Sequence, residues 1–236
     1  MRNLLSILFL LVIPCSMLLA AQNDGDEDLE PDKAALKALP NLSLFTPPKD
    51  TNFKPEVGAW ASYKLEDKIS KSHHNITIAV TGQERVKHGM ANWIEIATES
   101  SNETPIVAKF LWVPSKDEPS VLKMIVKAGS YAPVEVETHQ KTHESHKHVE
   151  GEFEKIGKET VKIKGKSIIT STYKHKLSNG ETVQLWTSSL IPPFGMVRSI
   201  SLSHELILTD YGKNYVSQIT QEPIQLNSTN HPNNLP

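Results

Sequence analysis

Apolar and polar side chains alternate along the chain from residue 57 onward, and this pattern constrains the fold more than any other feature. Ile76, Ile78 and Val80 alternate with polar or small residues, and a second alternation runs through residues 200–208. Because successive side chains of a strand point to opposite faces, this pattern gives a sheet one face for a core and one for water. No long helical period follows residue 56. The sequence therefore predicts a mainly β domain, built as a curved antiparallel sheet or half-barrel meander with few short helices.

Further strand candidates are separated by turn signals. The candidates are residues 93–97, 106–113, 121–126 and 160–169, and the turn signals are residues 81–82, 88–89, 127–130, 164–166 and 178–180. The strongest hairpin pattern is Asn179-Gly180, between residues 172–177 and 181–186. We expect about nine or ten strands linked by short turns.

The first 21 residues have the order of a secretory signal. Arg2 gives a positive start, residues 4–19 are almost wholly apolar, and Ala20-Ala21 precede a polar, acidic stretch. This order predicts export and cleavage near residue 21. An uncleaved anchor is one alternative, because the apolar run is only slightly shorter than a bilayer-spanning helix. Lipidation of Cys15 is another, although Pro14 before the cysteine is atypical of a lipoprotein signal. We expect contact with a membrane only in these two cases.

Composition narrows the compartment and the partners. Cys15 is the only cysteine, so the exported chain would have no disulfide and no thiolate metal site, which is common among bacterial envelope proteins. The net charge is −2, and no basic patch with interleaved aromatic residues occurs. Nucleic acid is therefore not an expected partner. The expected location is the periplasm or cell envelope of a bacterium.

Composition also divides the chain into four segments. We predict a signal peptide at 1–21, an acidic, proline-rich linker at 22–56, an antiparallel β domain at 57–221 and a disordered tail at 222–236. A short helix is expected at 32–39 within the linker.

A histidine-rich loop is the strongest candidate metal site. Its four imidazoles lie within ten residues and could bind zinc or copper: His139, His143, His146 and His148. Lys141 and Lys147 lie among them and would repel a cation, so a solvated loop is the alternative. The spacing from His143 to His146 is one residue too short for the zinc-protease motif.

Catalytic motifs are missing from the sequence. There is no GxSxG nucleophile motif, no GxGxxG and no phosphate loop. Of the isolated histidines, His175 is expected to be a surface or strand residue, and His204 a hydrogen-bonded interior residue. We expect the protein not to be an enzyme.

Two halves of the chain contain residues that resemble a known group. The first half has Gly58-x-Trp60-x-x-Tyr63, Thr81-Gly82-Gln83-Glu84, Trp93-Ile94-Glu95 and Lys123-Met124-Ile125-Val126-Lys127. The second has Gly157-Lys158-Glu159-Thr160-Val161, Thr172-Tyr173-Lys174, Trp186-Thr187-Ser188 and Pro192-Pro193-Phe194-Gly195-Met196-Val197. Residues 57–212 resemble uncharacterised exported bacterial relatives of the periplasmic lipoprotein-carrier superfamily, which comprises the carrier and its outer-membrane receptor.

The resemblance implies a curved antiparallel sheet closed on one side by helices, with an apolar cavity for acyl chains. The chain departs from this arrangement, because no segment after residue 56 has the periodicity of those helices. The leading hypothesis is an exported, non-catalytic envelope protein that binds a lipid, acyl chain or lipoprotein in an apolar concave face. The alternatives are an interaction or scaffold module that binds an envelope protein, and metal binding through the histidine loop.

Overall fold

A computed structural model of the protein describes residues 55–87, 89–100, 103–113, 120–136, 152–177 and 180–225. Strands and turns account for the regular structure of these residues, which contain no helix. The twelve described strands are β1 (Trp60–Asp67), β2 (His73–Val86), β3 (Gly89–Ser100), β4 (Glu103–Val113), β5 (Ser120–Ala128), β6 (Val134–Val136), β7 (Glu152–Ile163), β8 (Lys166–Lys176), β9 (Thr182–Thr187), β10 (Met196–Ile200), β11 (His204–Gly212) and β12 (Ile224–Gln225).

The strands form one open sheet. Its order is β12-β6-β5-β4-β3-β2-β1-β11-β10-β9-β8-β7. Every neighbouring pair is antiparallel except β12 and β6, which are parallel. Sequence neighbours are therefore sheet neighbours almost throughout, as in a meander, and β1 pairs with β11 to join the two halves. The predicted curved antiparallel sheet is confirmed.

The sheet curls strongly towards one face. β9 and β10 separate the β7–β8 hairpin from β11, yet Lys164 at the tip of that hairpin forms an ion pair with Asp210 on β11. Register shifts interrupt several strand pairs, for example between Val80 and Gly82 on β2 and between Lys155 and Gly157 on β7. Such bulges bend a strand and increase its local twist. The curl makes one face concave, and we call it the inner face.

The inner face carries the main hydrophobic core. Tyr63 on β1, Ile78 on β2, Ile96 on β3 and Leu206 on β11 alternate with residues that point to the opposite, outer face. The side chain of Tyr63 is buried, and its hydroxyl donates a hydrogen bond to the main-chain oxygen of Met196 at 3.1 Å. The predicted alternation in residues 76–80 is therefore confirmed, with Ile76, Ile78 and Val80 all buried.

Two predicted strands are in fact pairs of strands. Residues 200–208 contain the end of β10, a turn at 201–203 and the start of β11. The turn forms because Ser201 Oγ accepts hydrogen bonds from the main-chain nitrogens of Ser203 and His204, at 3.3 and 3.1 Å. Residues 160–169 are likewise divided, by a turn at Lys164 and Gly165, both with positive φ, and the turn signal at 164–166 predicts this turn. The predicted turn at residues 81–82 is wrong, because both residues lie within β2.

The other turn predictions agree with the structure. β8 and β9 form the antiparallel hairpin expected around Asn179-Gly180, and turns follow β2 at residue 87 and β5 at residues 129–130. β12 lies inside the segment predicted as a tail, so the ordered sheet extends past the predicted boundary at residue 222. The signal at 1–21 and the helix at 32–39 lie outside the described residues. Among the described residues, no helix has the length and apolar character needed to cross a membrane.

Candidate functional site

The inner face was the predicted ligand site, and its side chains pack against one another. The buried cluster draws on both halves of the sheet: Ile76, Ile78, Ile94, Ile96, Phe110, Trp112, Met124, Tyr173, Leu185, Met196, Leu206 and Leu208 are among its members. Because the sheet curls over this face, even large side chains such as Phe110 and Trp112 are buried. The face that a carrier would keep for an acyl chain is thus the core of this domain.

The predicted metal ligands His139, His143, His146 and His148 lie outside the described residues. Within the part of the chain that the structure describes, no group of three or more histidine, cysteine or acidic side chains is arranged to hold a metal ion. Metal binding by the histidine loop stays a prediction.

One histidine of the inner face is buried and stacks on an aromatic ring. His175 on β8 stacks on Phe153 of β7, with ring centroids 3.9 Å apart and ring planes 11° from parallel. Its Nε2 atom is buried and has no hydrogen-bond partner among the described residues. Burial disfavours the charged imidazole and lowers the pKa of His175 from 6.5 to about 4. The expectation of a surface or strand residue agrees with the position of His175 in β8, where only 4% of it is exposed.

Ser203, His204 and Asp67 lie together where the inner face ends. Ser203 Oγ and His204 Nδ1 are 2.7 Å apart, while His204 Nε2 and the Asp67 carboxylate are 3.8 Å apart. The second distance is too long for the hydrogen bond that a catalytic triad needs. Burial opposes ionisation of Asp67, but the main-chain N–H groups of Ser70 and Ile69 lower its pKa below the ordinary value. The arrangement shapes a turn, and His204 is hydrogen-bonded but half-buried rather than interior.

The outer face of β3–β5 carries a buried carboxylate. Glu95 lies between the inner-face residues Ile94 and Ile96, so the alternation directs it outward, yet it is fully buried. It is covered by residues 213–225, which follow β11 across this face and end in β12; we call this segment the C-terminal strap. Before β12 the strap has no regular secondary structure. A buried charge of this kind requires hydrogen-bond partners, and the strap supplies them.

Three donors of the strap converge on Glu95. The Tyr215 hydroxyl donates to Oε1 at 3.0 Å, the Gln218 main-chain nitrogen donates to the same oxygen at 2.9 Å, and the Ser217 hydroxyl donates to Oε2. Burial raises the pKa of the Tyr215 hydroxyl above its ordinary value, and the adjacent Glu95 carboxylate raises it further. Tyr215 therefore remains a hydrogen-bond donor to Glu95 at neutral pH.

Two lysines of the same face also reach the strap. Lys109 lies directly opposite Glu95 on β4, and its Nζ donates to Ser217 Oγ at 3.3 Å. The Nζ of Lys127 on β5 donates to the main-chain oxygen of Gln218 at 3.4 Å. The surface under the strap thus combines the carboxylate of Glu95 with the ammonium groups of Lys109 and Lys127.

The residue after Gln218 makes an apolar contact with the same face. Ile219 of the strap is buried against Ala97, Val107 and Ile125, and Trp93 packs at the side of this cluster. Trp93 is held by the Glu84 carboxylate, which accepts from its Nε1 at 3.2 Å, and Lys109 Nζ lies 5.5 Å from its ring centroid. The outer face therefore has a carboxylate with two lysines and, beside them, a small aliphatic pocket.

The start of the strap is fixed by residues of the sequence motif Gly58-x-Trp60-x-x-Tyr63. The main-chain oxygen of Gly58 accepts from the Tyr215 nitrogen at 2.9 Å, and Trp60 Nε1 donates to the Lys213 oxygen at 3.3 Å. Gly58 has a φ of 86°, and a Cβ there would lie 3.1 Å from the Asn214 nitrogen. Glycine is favoured at this position because both the positive φ and the close contact disfavour a side chain.

Two further exposed features of the described residues are the edge of β7 and a pair of adjoining turns. Among the described residues β7 pairs only with β8, which leaves its other edge open. Lysines and a bulge along β7 are features that protect an edge from pairing. Ile69 and Leu202, about four-fifths exposed, project from adjoining turns that are joined by a 2.7 Å hydrogen bond from the Lys68 nitrogen to the Ser203 oxygen. Neither feature has the convergent polar groups found under the strap.

Comparison with known proteins gives a weak structural likeness only. No model of a known protein family matches the chain, and no curated protein matches it in sequence. A Bacteroides fragilis protein described as exported and as having a YmcC-like fold is 10% identical, with a TM-score of 0.38, over 68% of this chain and 98% of its own. A Parabacteroides distasonis protein described as a lipoprotein is 12% identical, with a TM-score of 0.37, over 69% of this chain and 99% of its own.

A third similar structure is MucB, solved in complex with MucA(peri). It is 8% identical, with a TM-score of 0.37, over 70% of this chain, and the match spans 53% of the MucB chain. At this level of similarity, none of these structures assigns a function to the chain. The relationship to lipoprotein carriers stays a prediction.

Proposed function

We propose that this protein is an exported, non-catalytic component of a bacterial cell envelope that binds another envelope protein through the outside of its sheet. The proposal joins the secretory signal predicted at residues 1–21 with the packing of the sheet. Its non-catalytic part rests on the sequence, which has no GxSxG, GxGxxG or phosphate-loop motif.

The packing of the inner face is the observation that carries the proposal. A carrier needs its concave face for the ligand, whereas here the side chains of that face form one buried cluster with members from β1 to β5 and from β7 to β11. With the inner face used as a core, recognition falls to the outer surface. The outer face of β3–β5 supports this role, because it combines a carboxylate, two lysines and an aliphatic pocket.

Crosslinking in cells tests the protein partner. A photo-reactive amino acid placed at Val216 on the outer face, or at Leu202 on the far turn, should yield one dominant adduct with an envelope protein from at least one of the two positions. Both side chains are about four-fifths exposed, so neither replacement disturbs the core. If neither position yields a protein adduct, partner binding through these surfaces is wrong.

Mass spectrometry tests the lipid form of the hypothesis. Native spectra of the protein purified from envelopes should show the mass of the polypeptide alone. A co-purifying acyl lipid would instead favour binding in the concave face, as the resemblance to carriers implies. The same spectra give the mass of the N-terminus, and removal of 21 residues is the result expected for an exported, cleaved chain.

A further inference from the structure

The contacts of the C-terminal strap differ from those of the strands around it. Beyond Tyr215, the strap is held to the outer face by side chains: Ser217 and Ile219 from the strap, and Glu95, Lys109 and Lys127 from the sheet. Within the part of the chain that the structure describes, its main chain pairs with another strand only in the two-residue β12, where the Ile224 nitrogen donates to the Pro133 oxygen at 2.8 Å. A segment with so few backbone bonds opens at a lower free energy than the ladders beneath it.

Opening of the strap would leave no charge buried without a partner. Glu95 lies on the outer face, so water could take over the hydrogen bonds of Tyr215, Ser217 and Gln218, and the same holds for Lys109 and Lys127. The exposed apolar surface would be limited to the small pocket that Ile219 occupies. The main-chain bond between Tyr215 and Gly58 would remain as the fixed end about which the strap moves.

The uncovered surface would have the features of a site for an extended peptide. From residues 216–225, Glu95 accepts one main-chain N–H, that of Gln218, and one hydroxyl, that of Ser217. Lys127 donates to the main-chain oxygen of Gln218, and the aliphatic pocket receives Ile219, two residues after the hydroxyl. Groups that bind main-chain atoms provide affinity for any extended chain, and the pocket selects the side chain. The strap satisfies this pattern with the residues Ser217, Gln218 and Ile219.

We propose that the outer face of β3–β5 is a peptide-binding site that the chain's own strap keeps occupied. The partner is an extended segment of another protein that has a hydroxyl residue, any residue and then an aliphatic residue. The partner segment displaces residues 216–225 and takes over their contacts with Glu95 and the pocket. This inference rests on the proposed function and names its surface and the class of partner.

Competition by a peptide of the strap's own sequence tests the inference on the full chain. A fluorescently labelled peptide of residues 213–225 is titrated against wild-type protein and against Ile219→Ala, which weakens the strap but leaves the site intact. The apparent affinity for the peptide is proportional to the fraction of molecules in which the strap is open. Ile219→Ala raises this fraction, so it should bind the peptide at least about tenfold more tightly than wild type. Val216→Ala is the matched control, since Val216 lies on the strap with 78% of its surface exposed, and it should behave as wild type.

A second variant must change binding in the opposite direction. Combining Glu95→Ala with Ile219→Ala should abolish the gain in peptide affinity. A peptide with alanine at the position of Ile219 should bind neither the Ile219→Ala protein nor the double variant. Ser217→Ala replaces Ile219→Ala if the latter lowers the melting temperature of the whole domain. Equal peptide binding by Ile219→Ala, Ser217→Ala and Val216→Ala would overturn the inference. Peptide exchange can fail while crosslinking still identifies a partner, in which case the site is wrong and the proposed function stands.

Discussion

The two faces of the sheet are both covered, but by different means. The inner face is covered by the curl of the sheet itself, and its apolar side chains come from strands joined by hydrogen-bond ladders. The outer face of β3–β5 is covered by a strap whose contacts converge on a single carboxylate, Glu95. Apolar burial over many strands stabilises the whole domain, whereas a few polar contacts can be broken and made again locally. The inner face therefore stabilises the fold, and the outer face of β3–β5 is the part available for recognition.

The largest loss of stability is expected from a substitution in the inner face, and it tests whether that face is the core. Leu206→Ala removes a fully buried side chain from the inner face, so we expect the free energy of unfolding to fall by about 2–5 kcal/mol. Ile207→Ala is the matched control on the same strand, because Ile207 is 38% exposed on the outer side. Urea denaturation measures both. A loss equal to that of the control would mean that the inner face is not the core.

The buried histidine of the inner face should make stability depend on pH. The folded protein keeps His175 neutral down to about pH 4, while an unfolded chain takes up the proton near pH 6.5. The free energy of unfolding should therefore be unaffected by this group above pH 6.5 and should fall as the pH drops from about 6.5 to about 4. The loss reaches about 3 kcal/mol for a shift of this size.

Replacing His175 isolates its contribution to the pH profile. His175→Phe keeps an aromatic ring against Phe153 and removes the titrating group, so its unfolding free energy should change less between pH 6.5 and pH 4 than that of wild type. His73→Gln, at an exposed position, is the control and should keep the wild-type profile. An unchanged profile in His175→Phe would contradict the assignment of acid sensitivity to this residue.

A smaller effect is expected at the carboxylate of the outer face. Glu95→Gln removes the charge that accepts three hydrogen bonds, so we expect a loss of about 1–3 kcal/mol, confined to the docking of the strap. Hydrogen exchange of residues 216–225 should accelerate, while exchange in β1 and β2 should not. Glu99→Gln, exposed on the same strand, is the control. Equal acceleration in the strap and in β2 would mean that the two open together.

The smallest effect is expected at the lysine beside Glu95. Lys109→Met keeps an aliphatic stem near Trp93 and removes the donor to Ser217, a contact of 3.3 Å at a partly buried position. We expect the strap to lose about 0.5–1.5 kcal/mol of docking free energy, the range of a single hydrogen bond. The same exchange experiment on residues 216–225 measures it, and an effect as large as that of Glu95→Gln would contradict the central position given to the carboxylate.

The sequence predicts the inner face well because its signal is local. Alternation in residues 76–80 indicates which side chains of β2 are buried, and Asn179-Gly180 identifies the hairpin of β8 and β9. Alternation fails to show the strand boundary in residues 200–208. There the Ser201 side chain accepts hydrogen bonds that turn the chain between β10 and β11, while the apolar spacing continues unchanged across the turn. Periodicity shows the spacing and does not show such a turn.

The outer face could not be predicted because its contacts join distant parts of the chain. Glu95 occupies a position that alternation assigns to water, and its partners Tyr215, Ser217 and Gln218 follow about 120 residues later without any recognisable motif. The strap also contacts Gly58 and Trp60. These two residues belong to the motif that resembles the exported group, so this part of the outer face does have a signal in the sequence. A buried carboxylate and its donors become visible only once the fold brings them together.

Hydrogen exchange on the full-length wild-type protein tests the difference between the two faces most directly. The account predicts that amides of β1, β2 and β11 exchange only through global unfolding, while those of residues 216–225 exchange at a clearly lower free energy of opening and with a weaker dependence on denaturant. If the strap and the central strands share one opening free energy and one denaturant dependence, the strap is an integral part of the core fold, and the outer face has no separate opening by which a partner could enter.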